Sequence, residues 1–202
     1  MNTFPLLEEL QTIARNGLQY AENPYDVERY ERLLVLATQA YSKVLDLPAE
    51  TIRAQFAKES GIITPKLGTD AAIFNERGEI LLMERADGSG LCLPCGFVNP
   101  NETPVQGIVR EVWEETGLVV AVKRLVGVFT RKPSPQYGPY TIVAIVHLCE
   151  IASGTLTLSH EGSALRYWPI EDVQDWHGTH EINARAAYEV WKSPALYPAK
   201  SA

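Results

Sequence analysis

Basic residues are scarce in this chain and are never massed. Eighteen Lys and Arg stand against 25 Asp and Glu, a formal net charge of −7, and no Lys/Arg block occurs. Nonspecific nucleic-acid binding depends on basic surface that displaces counterions from phosphates, so the charge argues against that class and against trimming of RNA 3' ends. An acidic chain still binds nucleotides through local basic residues and a metal. No apolar run reaches spanning length and no signal peptide is visible, which sets the expectation of a cytoplasmic, reduced protein with no membrane partner. Cysteine is rare: three residues, two of them in Cys92-Leu93-Pro94-Cys95. That spacing suits a thioredoxin-like pair or half of a zinc site. A redox pair wants its second cysteine at a helix start, whereas here the residues close a strand, and only Cys149 remains as a further thiol; buried or incidental thiols are expected. Histidine is sparse too. His147, His160, His177 and His180 form no i, i+4 pair for zinc, and His160 and His180, weak candidates for proton transfer, stay outside the catalytic set.

What is present is enough apolar residue, 46%, to bury a substantial core in one large or two small units. From Thr3 to about Thr64 the pattern is helical. Leu6, Leu10, Ile13 and Ala14 are spaced by threes and fours, then Val27, Tyr30, Leu34, Ala37, Tyr41 and Val44. Asn23-Pro24 starts the second helix, Pro48 a third carrying Ile52 and Phe56, and Gly61 closes it. After Pro65 the period changes to strands. Ala71–Phe74 and Glu79–Glu84 flank a hairpin-like turn at Asn75–Gly78, Val119–Thr130 and Tyr140–Ile151 are rich in β-formers, and a short strand is expected around Thr155–Leu158. A last helix covers about Ile182–Lys192. The chain therefore divides into a helical domain over 1–64 and an α/β domain over 65–196.

One helix in the second domain carries chemistry. Thr103, Pro104 and Gln106 make a capping box with a proline in the first turn, and Gly117 supplies a left-handed stop. Val105, Ile108, Val109 and Val112 form its apolar arc, with Glu115 at the edge and Glu111 and Glu114 beyond. Three glutamates at i, i+3 and i+4 repel by a few tenths of a kcal/mol per pair. The helix C-terminus disfavours each by roughly a further 0.3–1 kcal/mol. A hard divalent cation with oxygen ligands turns that unfavourable cluster into a site.

The surrounding residues give the cluster a context. Gly96, Glu102, Arg110-Glu111-Val112, Glu114-Glu115 and Gly117-Leu118 match nine positions of one pattern. The segment resembles the Nudix box, GX5EX7REUXEEXGU with U apolar, and on it the chain is identified as a Nudix hydrolase. The resemblance implies an α/β/α sandwich with a mixed sheet, in which Glu111, Glu114 and Glu115 hold Mg2+ or Mn2+. It counts Glu102 and the Gly96 carbonyl with the metal set and gives Arg110 the task of pairing with Glu102 and orienting the cluster, where the plain alternative is a surface ion pair. A base from outside the box completes the chemistry. Glu161, in the loop LSHEGSALRYW, is either that base or an ordinary loop glutamate. The catalytic set is thus Glu114, Glu115, Arg110 and Glu161.

Substrate contacts are assigned to FTRKPSPQYGPY, where Arg131 and Lys132 suit phosphates and Tyr137 or Tyr140 suits base stacking; the same prolines and glycine also suit a rigid hairpin. Arg85, ending LLMER, is a further phosphate contact or a solvated strand end. Pro133 lies fifteen residues past the box, the spacing associated with ADP-ribose hydrolysing relatives. NPYDVERYERL and GIITPKLGTDAAIF are similar to Nudix proteins with an N-terminal helical domain, among them CDP-choline pyrophosphatases. That likeness implies a homodimer through the N-terminal helices. The sequence departs from the subgroup at Asp70, where a basic residue is expected, and at Cys95, where glycine is usual. The expected reaction is cleavage of a nucleoside diphosphate linked to another group; the rival is a Nudix-fold module that senses a nucleotide without cutting it, a class that tends to lose the glutamates.

Overall fold

Alternation along two strands sets the architecture. In β1 (Lys66–Ile73) Ala71 and Ile73 face one core and Ala72 the other; in β2 (Ile80–Arg85) Leu81 faces the first core and Ile80 and Leu82 the second. Both faces are covered by helices, so these strands read as continuous apolar runs. The structure is a computed structural model and describes residues 3–58, 63–134 and 136–193. Further strands are β3 (Leu91–Cys92), β4 (Cys95–Phe97), β5 (Leu118–Arg131), β6 (Ile142–Gly154) and β7 (Gly162–Trp168). They form a four-stranded sheet in the order β4-β1-β6-β5 and a three-stranded sheet in the order β3-β2-β7.

Three helices open the chain: α1 (Phe4–Tyr20), α2 (Pro24–Leu45) and α3 (Ala49–Ala57). In the second domain α4 (Pro104–Thr116) lays Ile108 and Val112 on Ala71, Ile73, Leu81, Leu118 and Val120. On the other side α5 (His180–Lys192) lays Ala184 and Ala187 on Ala72, Ile80, Leu82 and Leu93. Helix, mixed sheet layer and helix give the expected α/β/α sandwich, preceded by an all-α region.

The helices divide from the sandwich as a compact unit of residues 1–66 with 131–142; the second unit is 67–130 with 143–202. In the helical unit Asn23 caps α2, its side chain accepting from the Asp26 N–H at 2.9 Å, and Leu7, Tyr41, Leu45, Ile52 and Phe56 form the core. The inward face of α1 differs from the spacing expected of it. Leu7, Gln11, Ala14 and Arg15 are buried, whereas Leu6 and Ile13 are 57% and 44% exposed. A polar inward face is tolerated because Arg15 donates to Gln11 and lies over the Phe56 ring. Helix α3 ends at Ala57; Gly61, expected to close it, is outside the described residues.

Three local expectations change in the sandwich. The Asn75–Gly78 turn forms, with the Asn75 side chain accepting from the Arg77 and Glu79 N–H groups. Yet Phe74, just past β1, makes an isolated bridge to Ile80, and among the described residues β1 and β2 belong to different sheets, so it is not a regular hairpin. No strand forms at Thr155–Leu158. Its amides go elsewhere: Thr157 N–H donates to the Thr116 carbonyl and Ser159 N–H to that of Glu115, satisfying the end of α4. The strand lies instead at Gly162–Trp168, inside the expected loop, paired antiparallel with β2.

Candidate active site

Helix α4 is fixed at both ends by the residues that predicted it. Thr103 and Gln106 make a reciprocal capping box, and Gly117 stops the helix at φ 70°. A side chain at Gly117 would also press on the Thr155 carbonyl, so the stop and the segment beneath it are specified together. The inner face carries Gly107, Ile108, Val112, Glu115 and Thr116. Val105, expected on the apolar arc, is 45% exposed, and Glu115, expected at its edge, is 3% exposed. The arc is rotated because β4 and residues 155–161 pack over the C-terminal turns.

Arg110 organises the outer flank. Its guanidinium donates to Glu102 at 2.8 and 3.0 Å, to Glu111 at 2.8 Å, to Glu114 at 2.9 Å and to the Phe97 carbonyl at 3.1 Å. The expected Arg110–Glu102 pair is therefore present and bidentate. These bonds and the Asn99 N–H hold the Glu102 carboxyl at about 2. Burial, opposed by Arg110, raises that of Glu111.

Glu115 faces inward, its carboxylate accepting from the Cys95 N–H at 2.9 Å. Burial pushes its carboxyl up to about 9; the nearby Cys92 sulfur, Glu161 and Glu111 add to the effect and the Cys95 N–H opposes it. Glu161, whose carbonyl accepts from Ala86 N–H, lies within electrostatic reach of both Glu111 and Glu115. Gly96 sits directly against Glu111: a Cβ built there would fall inside the carboxylate. Glu102, Arg110, Glu111, Glu114, Glu115, Glu161 and Gly96 are thus brought together.

Three glutamates converging on one point, as the spacing suggested, is not the arrangement seen. Among the described residues no three His, Cys, Asp or Glu side chains are placed to hold an ion. The reason is Arg110, which draws Glu111 and Glu114 to itself while Glu115 turns under β4. The donor set nevertheless fits a hard divalent cation: a buried carboxylate costly to ionise, Glu115, a second partly buried one, Glu111, and the Gly96 backbone close against Glu111. Substitution Gly96→Ala tests the close approach. The added methyl displaces Glu111, so kcat/KM is expected to fall roughly a hundredfold for a shift on the ångström scale. Melting should change little, since the flexible carboxylate end yields.

The remaining sequence candidates fall elsewhere. Arg85 is engaged by Asp87 at 3.0 Å and by Ser89 at 3.1 Å rather than standing open. Arg131 and Tyr137 belong to the helical unit, where the guanidinium lies 5.5 Å from the Tyr137 ring. The odd Asp70 is completely buried. Asn183 donates to it at 2.8 Å and His180 lies 3.7 Å away, while His180 also accepts from the Leu93 N–H. Nothing local in the sequence marks these partners, because α5 lies more than a hundred residues downstream.

Comparison with known proteins supports the box and extends the likeness over the chain. Residues 64–190 match the NUDIX domain, and residues 3–56 match the UDP-X-like N-terminal oligomerisation domain. An ADP-ribose pyrophosphatase of Methanocaldococcus jannaschii is 30% identical over 133 residues, covering 64% of this chain and 76% of the relative. A crystal structure of UDP-X diphosphatase aligns over 93% of both chains at TM-score 0.58 and 24% identity, a likeness of fold. A crystal structure of an ADP-ribose pyrophosphatase from Streptococcus suis covers 66% of this chain and 97% of its own at TM-score 0.56 and 27% identity. No helix among the described residues is long and apolar enough to cross a membrane. With the box complete and more than half of the chain matched by the domain, the chain belongs to the Nudix hydrolase family and is a Nudix pyrophosphohydrolase.

Proposed function

We propose that the chain hydrolyses the diphosphate bond of a nucleoside diphosphate joined to another group, of ADP-ribose, UDP-X or CDP-alcohol type, and releases a nucleoside monophosphate. The buried Glu115 carboxylate, set beside Glu111 and Glu161 and tethered to the Cys95 N–H, carries this reading. A carboxylate held there against a strong burial cost makes sense as a ligand. Glu111, Glu114, Glu115 and the Gly96 carbonyl would hold Mg2+ or Mn2+, with Glu102 acting through Arg110. When bound, such an ion acidifies water and offsets charge on the phosphates.

The side chains do the rest. Arg110 fixes the direction of Glu111 and Glu114 through its fork of donors. Glu161, close to both buried carboxylates, takes the proton from the attacking water. Glu115 is kept in place by β4, whose Cys95 N–H donates to it. The names of the matched relatives favour ADP-ribose and UDP-X among substrates. The helical unit serves a homodimer, a reading supported by the oligomerisation domain it matches and by the exposed Leu6 and Ile13 on α1. Every glutamate of the box is present, so nothing favours the sensing role over turnover.

A product assay decides the matter. Incubated with Mg2+ or Mn2+ and a panel of ADP-ribose, UDP-sugars, CDP-choline, dinucleoside polyphosphates and nucleoside triphosphates, the protein is expected to cut one of the first three and yield a nucleoside monophosphate. Hydrolysis of triphosphates alone, or of nothing in the panel, overturns the reading.

A further inference from the structure

Of the chain's five phenylalanines, one stands in the open among the described residues. Phe4 and Phe56 pack in the helical unit and Phe74 and Phe129 in the sandwich, whereas Phe97 is 55% exposed. A single apolar side chain in water is ordinary on a protein surface. The place of this one is not. Phe97 follows Gly96, which is packed against the Glu111 carboxylate, and Cys95, whose N–H holds Glu115. Its own carbonyl accepts from Arg110 at 3.1 Å.

The strand sets where the ring goes. Val98 N–H donates to the Leu67 carbonyl, so the main chain of β4 turns toward β1 at Val98 and outward, to the side of the carboxylates, at Phe97. The bond from Arg110 holds that turn. Successive side chains leave a strand on opposite faces, so with Gly96 toward Glu111 the ring stands on the other face, at the edge of the four-stranded sheet. Across from it on β1 is Gly68, which has no side chain to cover it. The ring is thus one residue, a rise of about 3.3 Å, from the glycine that touches Glu111.

We propose that Phe97 is a substrate-contact residue whose ring stacks on the base of the nucleoside diphosphate. Placing the phosphates at the carboxylates beside it rests on the proposed hydrolysis. Every base has a π-face, so an aromatic ring accepts any of them, and a backbone already held by Arg110 spares part of the ordering cost. Phe97 therefore selects a nucleotide over a bare sugar phosphate and does not choose between bases.

Titration of the full chain, in Mg2+, with AMP, UMP, CMP and ribose 5-phosphate tests this, with base-proton shifts and affinity read by NMR. The base protons should move upfield on binding, as protons over a ring face do. Phe97→Ala should remove that shift and weaken the three nucleotides roughly tenfold, while ribose 5-phosphate binds as before. Phe97→Trp should keep nucleotide affinity within a few fold of wild type. In turnover, Phe97→Ala should raise KM more than it lowers kcat. A ring that serves only to cover Gly68 would behave otherwise, since its loss would lower the melting temperature and weaken all four probes alike or none. That result, base protons that do not move, or nucleotide affinity unchanged in Phe97→Ala overturns the proposal. Binding needs no cleavage, so failure of the hydrolase reading shows separately, as base-dependent binding without turnover.

Discussion

Glu115→Gln is expected to lower turnover by roughly a thousandfold and, in the metal-free protein, to raise stability at alkaline pH. The two effects have one source. Burial drives the Glu115 carboxyl to about 9, far above its ordinary range, with Cys92, Glu161 and Glu111 adding to the shift. A folded state that binds a proton more tightly than the unfolded chain loses stability as pH rises between the two values. For Glu115 that window runs from the ordinary glutamate range up to about 9. Glutamine keeps the size and accepts from the Cys95 N–H but carries no charge, so the variant escapes the loss. Near pH 8.5 the gain should be about 2 kcal/mol, or several degrees in the melting temperature. Added Mg2+ should stabilise the wild type and leave the variant almost unmoved. A variant that loses turnover through misfolding would instead melt lower at every pH.

Removal of Arg110 should have the second largest effect. One guanidinium serves Glu102, Glu111, Glu114 and the Phe97 carbonyl, and its own side chain is 24% exposed. Arg110→Ala leaves three neighbouring carboxylates facing one another without their cation. A stability loss of about 1–3 kcal/mol is expected, since the exposed Glu114 relaxes into water and only the half-buried members suffer. Turnover should drop roughly a hundredfold, because Glu111 and Glu114 lose their direction. Arg110→Lys distinguishes charge from geometry. A lysine restores one positive charge but not the fork, so it should recover most of the melting temperature and little of kcat. Equal recovery of both would mean that Arg110 acts by charge alone.

The local chemistry of the box was legible and its surroundings were not. Thr103, Gln106 and Gly117 announce the ends of α4 because caps are short-range devices, satisfied within four residues. The Arg110–Glu102 pair is what the resemblance to the box implies, and the two side chains meet. The depth of Glu115 does not: helical periodicity places it at the edge of the apolar arc, and what covers it is β4 and residues 155–161, brought in by tertiary packing. The same packing undid the expected strand at Thr155–Leu158. Its threonines favour a strand, but the Thr157 amide is taken by the Thr116 carbonyl and the following Ser159 amide by that of Glu115, at the end of α4. Asp70 stood out in the sequence as the wrong charge, and its explanation lay in Asn183 and His180 on a distant helix. Arg85 looked open at a strand end, yet Asp87 and Ser89 occupy it.

Diffraction at the manganese edge, from crystals of the full chain soaked with Mn2+ and a methylene-bridged analogue of the preferred diphosphate substrate, tests the central claim most directly. Anomalous density is expected at about 2.1 Å from carboxylate oxygens of Glu111 and Glu115, with the analogue's phosphates on its open side. Analogue bound with no manganese on those glutamates, or manganese held only elsewhere on the chain, would contradict it.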